Sequence, residues 1–394
     1  MALEKNPDLS QVGKEYPASG IRKMFDLAAQ YDNIINLTVG EPNFDTPENV
    51  KEAAKKAIDE GYTHYSPNAG LPELREAVAN RHQHYWDGYT KDNVIITVGA
   101  LEALTLGLIA LLDEGDEVII QDPCFPNYYG QILIARGKAV PVPCYEEYDY
   151  KIQAADIEKA ITPKTKAIIL NSPSNPLGSV LDKEDILAIA EVVKKHNLYV
   201  FSDEPYDKIL YDGKEFFSIA QVPEIRDHVF VLNSLSKSFA MTGWRIGYML
   251  ADKSFIPTFA QIQEGMVSCV STFSQIAAIE AINGPQDAVE SMLADYTRRR
   301  DILIDGLNRI PGFTCKKSPG SFYAFANVKA FGKTSQEFAE ELIKYARVVA
   351  VPGSAFGKMG EGYIRFVFAN SDENLMEAVN RIEKYVREAY PSLQ

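Results

Sequence analysis

The sequence has few of the residues that would indicate a metal centre, a disulfide framework or a nucleic-acid partner. Its 394 residues include four cysteines and five histidines, and neither type occurs at a metal-binding spacing such as Cys-x-x-Cys. We therefore expect no bound metal, and we interpret the cysteines as reduced thiols of a cytoplasmic protein. Acidic residues outnumber basic ones by 54 to 40, and the net charge of −14 predicts repulsion from nucleic-acid phosphates.

Long hydrophobic runs are also missing. The longest uncharged runs, residues 167–181 and 265–279, contain polar residues or proline and are shorter than the about 20 apolar residues that a membrane-spanning helix needs. The N-terminal segment MALEKNPDLS carries charges where a signal peptide has an apolar run. We expect neither a membrane nor a nucleic acid among the partners.

What the sequence does contain is an alternation of short β-rich runs and helical runs between about residues 93 and 251. Several of the β-rich runs are continuously apolar, which is typical of parallel strands buried on both faces. The alternation predicts an α/β fold with a doubly wound, mostly parallel seven-stranded sheet. The predicted strands are Asn93–Gly99, Glu117–Pro123, Lys138–Pro143, Lys166–Pro173, Leu198–Glu204, Val229–Ser236 and Ile246–Ala251.

The last third of the chain has a different pattern, with long helical runs near residues 288–310 and 372–390 around isolated β-rich segments. This predicts a smaller α+β domain. We expect an irregular N-terminal arm (residues 1–45) that is part of the small domain, a large domain (residues 46–285) and a small C-terminal domain (residues 286–394).

Polar residues stand where several predicted strands end, and ligands of open parallel sheets bind beyond the carboxyl ends of the strands. Lys237 follows a buried strand, where an unpaired ammonium is costly, and such a lysine can be kept neutral and nucleophilic. Ser234 and Arg245 nearby are groups that can hold a phosphate. With a strand-end carboxylate, Asp203, they suggest pyridoxal phosphate, although the segment around Lys237 taken alone also fits a solvated loop.

From SGIRKMFDLA near Ser19 to VFANSDENL near Asn374, the sequence resembles the class I aminotransferases, which are fold-type I pyridoxal-phosphate enzymes. The motifs that carry the resemblance are SLSKSFAMTGWR, FSDEPYD, NSPSNPLG and GYIRFVFA. It implies that Lys237 binds the cofactor covalently and moves the substrate proton, and that Asp203 pairs with the pyridine nitrogen. It also implies an amino acid and a 2-oxo acid as substrates and ping-pong kinetics.

The resemblance assigns further cofactor contacts. Tyr206 and Asn175 correspond to residues that bond the ring hydroxyl, Phe125 to the aromatic residue stacked on the ring, and the backbone amides of Ala100 and Leu101 to those that hold the phosphate at a helix N-terminus. Ser234 and Arg245 complete the phosphate site. Tyr65 matches a tyrosine that reaches the cofactor of the neighbouring subunit, which implies a homodimer with shared active sites.

Substrate residues follow in the same way. Arg365, with Asn175 and the backbone of Gly40, corresponds to the group that grips the substrate α-carboxylate. Ile21 and Leu101 stand where some aspartate-preferring relatives have a hydroxyl residue and a lysine. Because both changes remove donors for a second carboxylate, we expect an aromatic or hydrophobic amino donor, with aspartate as a further possibility, and 2-oxoglutarate as acceptor.

Other interpretations stay open at this stage. Asp203 could merely cap a turn, Phe125 could be a core residue, and Arg365 could pair with an internal carboxylate. Pro205 and Leu177 depart from the usual residues of the family motifs. The same scaffold also serves cystathionine β-lyase-like enzymes, ring-forming synthases and effector domains of transcription regulators.

Overall fold

A seven-stranded and a four-stranded β-sheet organise the part of the chain that the computed structural model describes, residues 6–17 and 20–393. The strands are β1 (Ile35–Asn36), β2 (Val94–Thr97), β3 (Glu117–Asp122), β4 (Lys138–Pro143), β5 (Thr165–Asn171), β6 (Tyr199–Asp203), β7 (Val229–Ser234), β8 (Gly247–Leu250), β9 (Thr314–Cys315), β10 (Tyr323–Asn327), β11 (Val348–Val349), β12 (Val351–Pro352) and β13 (Tyr363–Val367). The α-helices are α1 (Gln11–Glu15), α2 (Gly20–Ala28), α3 (Glu48–Asp59), α4 (Pro72–Arg81), α5 (Gly99–Leu111), α6 (Asn127–Ile134), α7 (Ala154–Ala160), α8 (Lys183–His196), α9 (Leu235–Ser238), α10 (Ile256–Val267), α11 (Thr272–Asn283), α12 (Asp287–Asn308), α13 (Ser335–Glu341) and α14 (Asp372–Ala389).

The larger sheet has the strand order β2-β8-β7-β6-β5-β3-β4. Strand β8 runs antiparallel to both of its neighbours, and the other neighbouring strands are parallel. All seven strands predicted from the sequence pair in this sheet, with their ends shifted by at most two residues. The predicted α/β fold with a mostly parallel seven-stranded sheet is therefore confirmed.

Helices cover both faces of the larger sheet because the side chains of each strand point alternately to the two faces. Ile96 packs in one core with residues of α4 and α11, whereas Ile95 packs in another core with residues of α5 and α10. The strands are accordingly apolar on both sides, as a doubly wound sheet requires.

A separate core lies under the four-stranded antiparallel sheet, whose order is β12-β13-β10-β9. The N-terminal segment joins this core: β1 pairs in parallel with β11, and Met24 and Ala28 of α2 are buried. The segment was expected to be irregular but contains the helices α1 and α2. Met24 and Ala28 are one helical turn apart, so a single short stripe holds α2 on the core.

In the described ranges, no helix is both long and apolar enough to cross a membrane. The same ranges contain no group of three or more His, Cys, Asp or Glu side chains that could hold a metal ion.

Candidate active site

A cavity of about 300 Å³ lies at the carboxyl ends of β5, β6 and β7, between the two sheets. The larger sheet supplies strand ends and helix N-termini, and the smaller sheet supplies residues of β10 and β13. The residues predicted for the site that line this cavity are Gly40, Ala100, Leu101, Phe125, Asn175, Asp203, Tyr206, Ser234, Lys237, Arg245 and Arg365.

Lys237 enters the cavity from α9, the short helix that follows β7. Ser234 caps this helix, because its hydroxyl accepts a hydrogen bond from the Ser236 amide at 3.3 Å. The Lys237 ammonium donates to the Gly40 carbonyl at 2.6 Å. Burial lowers the pKa of Lys237 to about 8, and the nearby Arg245 contributes in the same direction. About a tenth of this amine is therefore neutral and nucleophilic at pH 7, far more than for a lysine with the ordinary pKa of about 10.4.

Asp203 is the last residue of β6 and lies buried at the cavity. Its carboxylate accepts a hydrogen bond from the Tyr128 hydroxyl, and Asn171 Nδ2 donates to its backbone carbonyl at 3.0 Å. Burial raises the pKa of Asp203 to about 6, against the Tyr128 hydrogen bond and the charge of Lys237. No described Lys, Arg or His side chain forms an ion pair with it. A buried carboxylate in this situation fits a protonated ring nitrogen of a bound heterocycle.

Arg365 is the most deeply buried cation of the cavity, with 2% of its surface exposed. Its Nη1 donates to Asn175 Oδ1 at 3.1 Å and its Nη2 to the Thr38 carbonyl at 2.5 Å. The guanidinium carbon lies 4.8 Å from the ring centre of Tyr323 and 4.7 Å from that of Phe356.

The Arg365 Nε has no hydrogen-bond partner, and no carboxylate of the described ranges forms an ion pair with this side chain. Burial lowers the pKa of Arg365, because no anion offsets the loss of hydration. An internal Asp or Glu partner, which the sequence left open, is not present among the described residues. The side chain therefore fits an anionic ligand such as a carboxylate.

Tyr206 and Tyr323 form a hydrogen-bonded pair in the wall of the cavity. The hydroxyls of Tyr206 and Tyr323 are 2.7 Å apart, and burial raises the pKa of both groups. A Cβ at position 40 would overlap the Tyr323 hydroxyl, so only glycine lets the backbone approach this closely. Both phenols stay protonated at neutral pH, and because one hydroxyl donates to the other, the pair has one O–H left to donate to a ligand in the cavity.

The N-terminus of α5 forms the wall next to Arg245. Gly99 begins the helix with a φ of +76°, and the first N–H groups of a helix have no intrahelical partner. A Cβ at Gly247 of β8 would lie only 2.6 Å from the Ala100 nitrogen, so a larger residue would push the helix start away from the sheet. Arg245 donates to the carbonyls of Thr242 at 3.0 Å and of Val98 at 3.3 Å. This wall is suited to a phosphate.

Phe125 lines the cavity and packs edge-to-face on Tyr128, with ring centres 5.7 Å apart. Tyr65 is not part of the cavity of its own chain: it is 88% exposed and lies in a surface groove beside residues 269–273. Ile21 belongs to α2, but its side chain lies outside the described part of the structure.

Sequence reasoning missed several residues of the site. Tyr128 lies three residues after Phe125, at the start of α6, so its spacing from Phe125 was the available signal. Thr38 and Tyr323 come from segments with no local sign of their position, because they reach the site only when the two sheets pack together. The additional cavity residues are Phe25, Thr38, Val39, Gly99, Leu104, Tyr128, Gln131, Asn171, Pro205, Ser236 and Tyr323.

Comparisons with known proteins agree over almost the whole chain. Residues 32–382 match the family model described as aminotransferase class I and II. An aspartate aminotransferase of Pyrococcus horikoshii is 44% identical over 370 residues, which cover 93% of this chain and 94% of that protein. Aromatic-amino-acid aminotransferase 2 of Thermococcus litoralis is 44% identical over 374 residues, covering 94% of this chain and 96% of that protein. The crystal structure of an aromatic aminotransferase from Pyrococcus horikoshii superposes with a TM-score of 0.89 at 40% identity, covering 94% of this chain and 100% of that one.

Proposed function

Because the chain belongs to the class I and II aminotransferases, we propose that its cavity transfers the amino group of an aromatic or other apolar L-amino acid to a 2-oxo acid such as 2-oxoglutarate. The chain is a pyridoxal-phosphate-dependent aminotransferase, and its substrates are amino acids and 2-oxo acids. The alternative of a β-lyase on the same scaffold is not favoured, since the relatives described above are aminotransferases. The proposal depends on one observation. The amine of Lys237 lies in the same cavity as Asp203 and Arg365, two buried ionisable side chains that form no ion pair in the described chain.

The residues of the cavity fit the cofactor group by group. Pyridoxal phosphate, when bound, supplies an electron sink for the bond that breaks at Cα of the amino acid. We propose that Asp203 binds the protonated ring nitrogen, and that Tyr206 and Asn175 hydrogen-bond the ring hydroxyl. Phe125 would pack on the ring face. The α5 N-terminus at Ala100 and Leu101, with Ser234 and Arg245, would hold the phosphate.

Lys237 is proposed to act twice. Its amine binds the cofactor covalently and, once the amino acid has displaced it, takes the proton from Cα. A lysine whose pKa is about 8 can accept that proton near neutral pH and return it in the next step. The same residue then serves as base and acid without a second titrating group.

Arg365 is proposed to hold the α-carboxylate through a bidentate pair, with Asn175 and the Gly40 backbone beside it. Fixing the carboxylate also fixes the direction of the Cα–H bond relative to Lys237, and this decides which bond breaks. The Gly40 carbonyl accepts a hydrogen bond from Lys237 at 2.6 Å, so this backbone lies beside the amine, and its N–H is the group that can donate to a carboxylate.

The remaining walls favour an apolar substrate side chain. Phe25, Val39, Leu101 and Leu104 line the cavity, and its cations among the described residues are Lys237, Arg245 and Arg365. Each of these three already has a role in the proposal, so none is left for a second substrate carboxylate. Aspartate is the second candidate, since one of the compared relatives is an aspartate aminotransferase. We also propose that Ile21 takes part in substrate binding.

Three broader points are proposals as well. We propose a homodimer in which Tyr65 reaches the partner's cofactor, supported by the 88% exposure of this aromatic side chain. The division at about residues 45 and 285 is supported by the separate core under the smaller sheet. A cytoplasmic location is supported by four cysteines that form no disulfide in the described chain.

A single-turnover experiment tests the function and the substrate together. Cofactor-loaded enzyme is mixed with phenylalanine, tyrosine, alanine or aspartate without an acceptor, and the 2-oxo acid released is measured. We expect one equivalent per active site, further turnover only after 2-oxoglutarate is added, and the highest kcat/KM for an aromatic donor. The Lys237→Ala variant should release none.

Two results would contradict the proposal. Continued release of pyruvate and ammonia from cystathionine without an acceptor would indicate a lyase, because β-elimination expels homocysteine as the leaving group from Cβ and needs no oxidant. A strong preference for aspartate in kcat/KM would refute the proposed substrate class while leaving transamination intact.

A further inference from the structure

The carboxyl end of β3 contacts a loop that follows β12, here called loop 356–359. Asp122, the last residue of β3, is 5% exposed, and its Oδ1 accepts a hydrogen bond from the Met359 amide at 3.2 Å. The Lys358 amide also bonds this carboxylate. Two residues beyond Asp122, the Cys124 amide donates to the Phe356 carbonyl at 2.9 Å. Loop 356–359 is thus tied to the end of β3 at both of its ends.

The contact between loop 356–359 and Asp122 requires a glycine at position 357 for two reasons. Its φ is +138°, a conformation that side-chain-bearing residues rarely adopt. A Cβ at this position would also overlap Asp122 Oδ1. The close approach of the loop to the carboxylate therefore depends on the glycine.

Loop 356–359 contacts Arg365 through Phe356, although Phe356 itself does not line the cavity. This ring is 1% exposed, and its centre lies 4.7 Å from the guanidinium carbon of Arg365. The ring of Tyr323 also packs on this guanidinium, with its centre 4.8 Å from the guanidinium carbon. The place of the loop therefore determines the position of one of the two aromatic rings that pack on Arg365. Asp122 itself does not line the cavity.

We infer that Asp122 is a positioning residue, which holds loop 356–359 in place and so orients Arg365 for the substrate carboxylate. The inference rests on the proposed role of Arg365. Hydrogen bonds from N–H groups to a carboxylate are stronger than those between neutral groups, and removing the acceptor leaves the Met359 N–H group without this partner. The loop then shifts, Phe356 moves with it, and the guanidinium plane is no longer held for bidentate binding.

The test measures binding of an unreactive carboxylate to the cofactor-loaded enzyme by calorimetry. The probe is 3-phenylpropionate, which lacks an amino group, with maleate as a parallel probe. Asp122→Ala and Gly357→Ala disturb the same contact from its two sides, and each should weaken binding about tenfold. Asp122→Asn keeps an acceptor oxygen and should stay within about threefold of the wild type.

Asp116→Ala is the matched control. Asp116 stands just before β3, at its other end, and its Oδ2 accepts a hydrogen bond from the Asp113 amide at 3.0 Å. Its removal should leave probe binding unchanged. Thermal unfolding of all variants is recorded alongside, because a residue that only stabilises the fold would lower the melting temperature without changing the dissociation constant.

The outcomes separate this inference from the proposed function. If Arg365→Lys binds both probes as the wild type does, or if neither probe binds the wild type, the proposed role of Arg365 is wrong and the inference falls with it. If Arg365→Lys loses binding while Asp122→Ala and Gly357→Ala bind normally, only the inference is wrong. Steady-state kinetics give a second readout: in both loop variants KM for the amino donor should rise about tenfold, with a smaller change in kcat.

Discussion

Asp203 and Arg365 are buried ionisable side chains without a partner of opposite charge in the described chain. Such an arrangement is unfavourable in an empty protein, because each charged form loses hydration and gains no ion pair in return. In the proposed function, the cofactor brings a cation to Asp203 and the substrate brings an anion to Arg365. We propose that, at the scale of single residues, these ligands offset the cost of burying the two side chains.

We expect the hydrogen bond from Tyr128 to lower the pKa of Asp203 and so to keep this carboxyl ionised at lower pH. Burial raises the pKa of Asp203 to about 6, and the Tyr128 hydroxyl opposes that rise by donating to the carboxylate. Without this donor the pKa rises further, and more of the carboxyl is neutral at a given pH. Tyr128→Phe should therefore weaken cofactor binding about tenfold at pH 6 and progressively less toward pH 8.5, where the carboxyl is again ionised.

Equilibrium dialysis of the cofactor at several pH values measures this effect. Tyr129→Phe is the control, because Tyr129 is the adjacent tyrosine and makes no hydrogen bond to Asp203 in the described structure. An equal loss of affinity at pH 6 and pH 8.5 would contradict the proposed electrostatic role and point to lost packing.

At the scale of elements, the proposed phosphate site at the N-terminus of α5 depends on how closely β8 approaches this helix. Gly247 allows this approach, since a Cβ there would lie 2.6 Å from the Ala100 nitrogen. The sequence predicted a strand that ends at Gly99, and the family resemblance placed a helix N-terminus at Ala100 and Leu101. The requirement at Gly247 was not visible, because it arises from a strand that lies far along the chain.

Gly247→Ala should displace the start of α5 and weaken binding of pyridoxal phosphate at least tenfold. Pyridoxal, which lacks the phosphate, should lose much less affinity. Gly243→Ala is the control, because a Cβ at position 243 would meet no atom within 4 Å. Equal losses for the two compounds would show that the substitution disturbs the ring site instead.

At the scale of the whole molecule, the proposed dimer makes a prediction about which chain completes each site. If Tyr65 acts across the interface, a mixed dimer of one Lys237→Ala subunit and one Tyr65→Ala subunit contains one intact site and one doubly altered site. It should then show about half of the wild-type activity per dimer. Both homodimers of the single variants should be strongly impaired.

Mixed dimers can be purified with two different affinity tags and assayed with the best amino donor. Activity no higher than that of the Tyr65→Ala homodimer would show that Tyr65 serves its own chain's site or none. A monomeric wild-type protein in sedimentation analysis would overturn the dimer directly.

The sequence by itself determined where the strands and helices lie and which strands end in polar residues that could take part in catalysis. Continuous apolar runs specify strands buried on both faces, and polar residues just after them specify one functional edge, because hydrophobic periodicity and chain order are local properties. The predictions for Lys237, Asp203 and Arg365 came from this local information and the motifs around them, and the structure brings all three to one cavity.

Only the tertiary structure decided what surrounds these residues. The hydrogen bond from Tyr128 to Asp203 and the pair of Tyr206 and Tyr323 join residues that are far apart in the chain. Such contacts depend on strand order and on how the two sheets pack against each other. Neither the spacing of apolar residues nor a short motif contains that information.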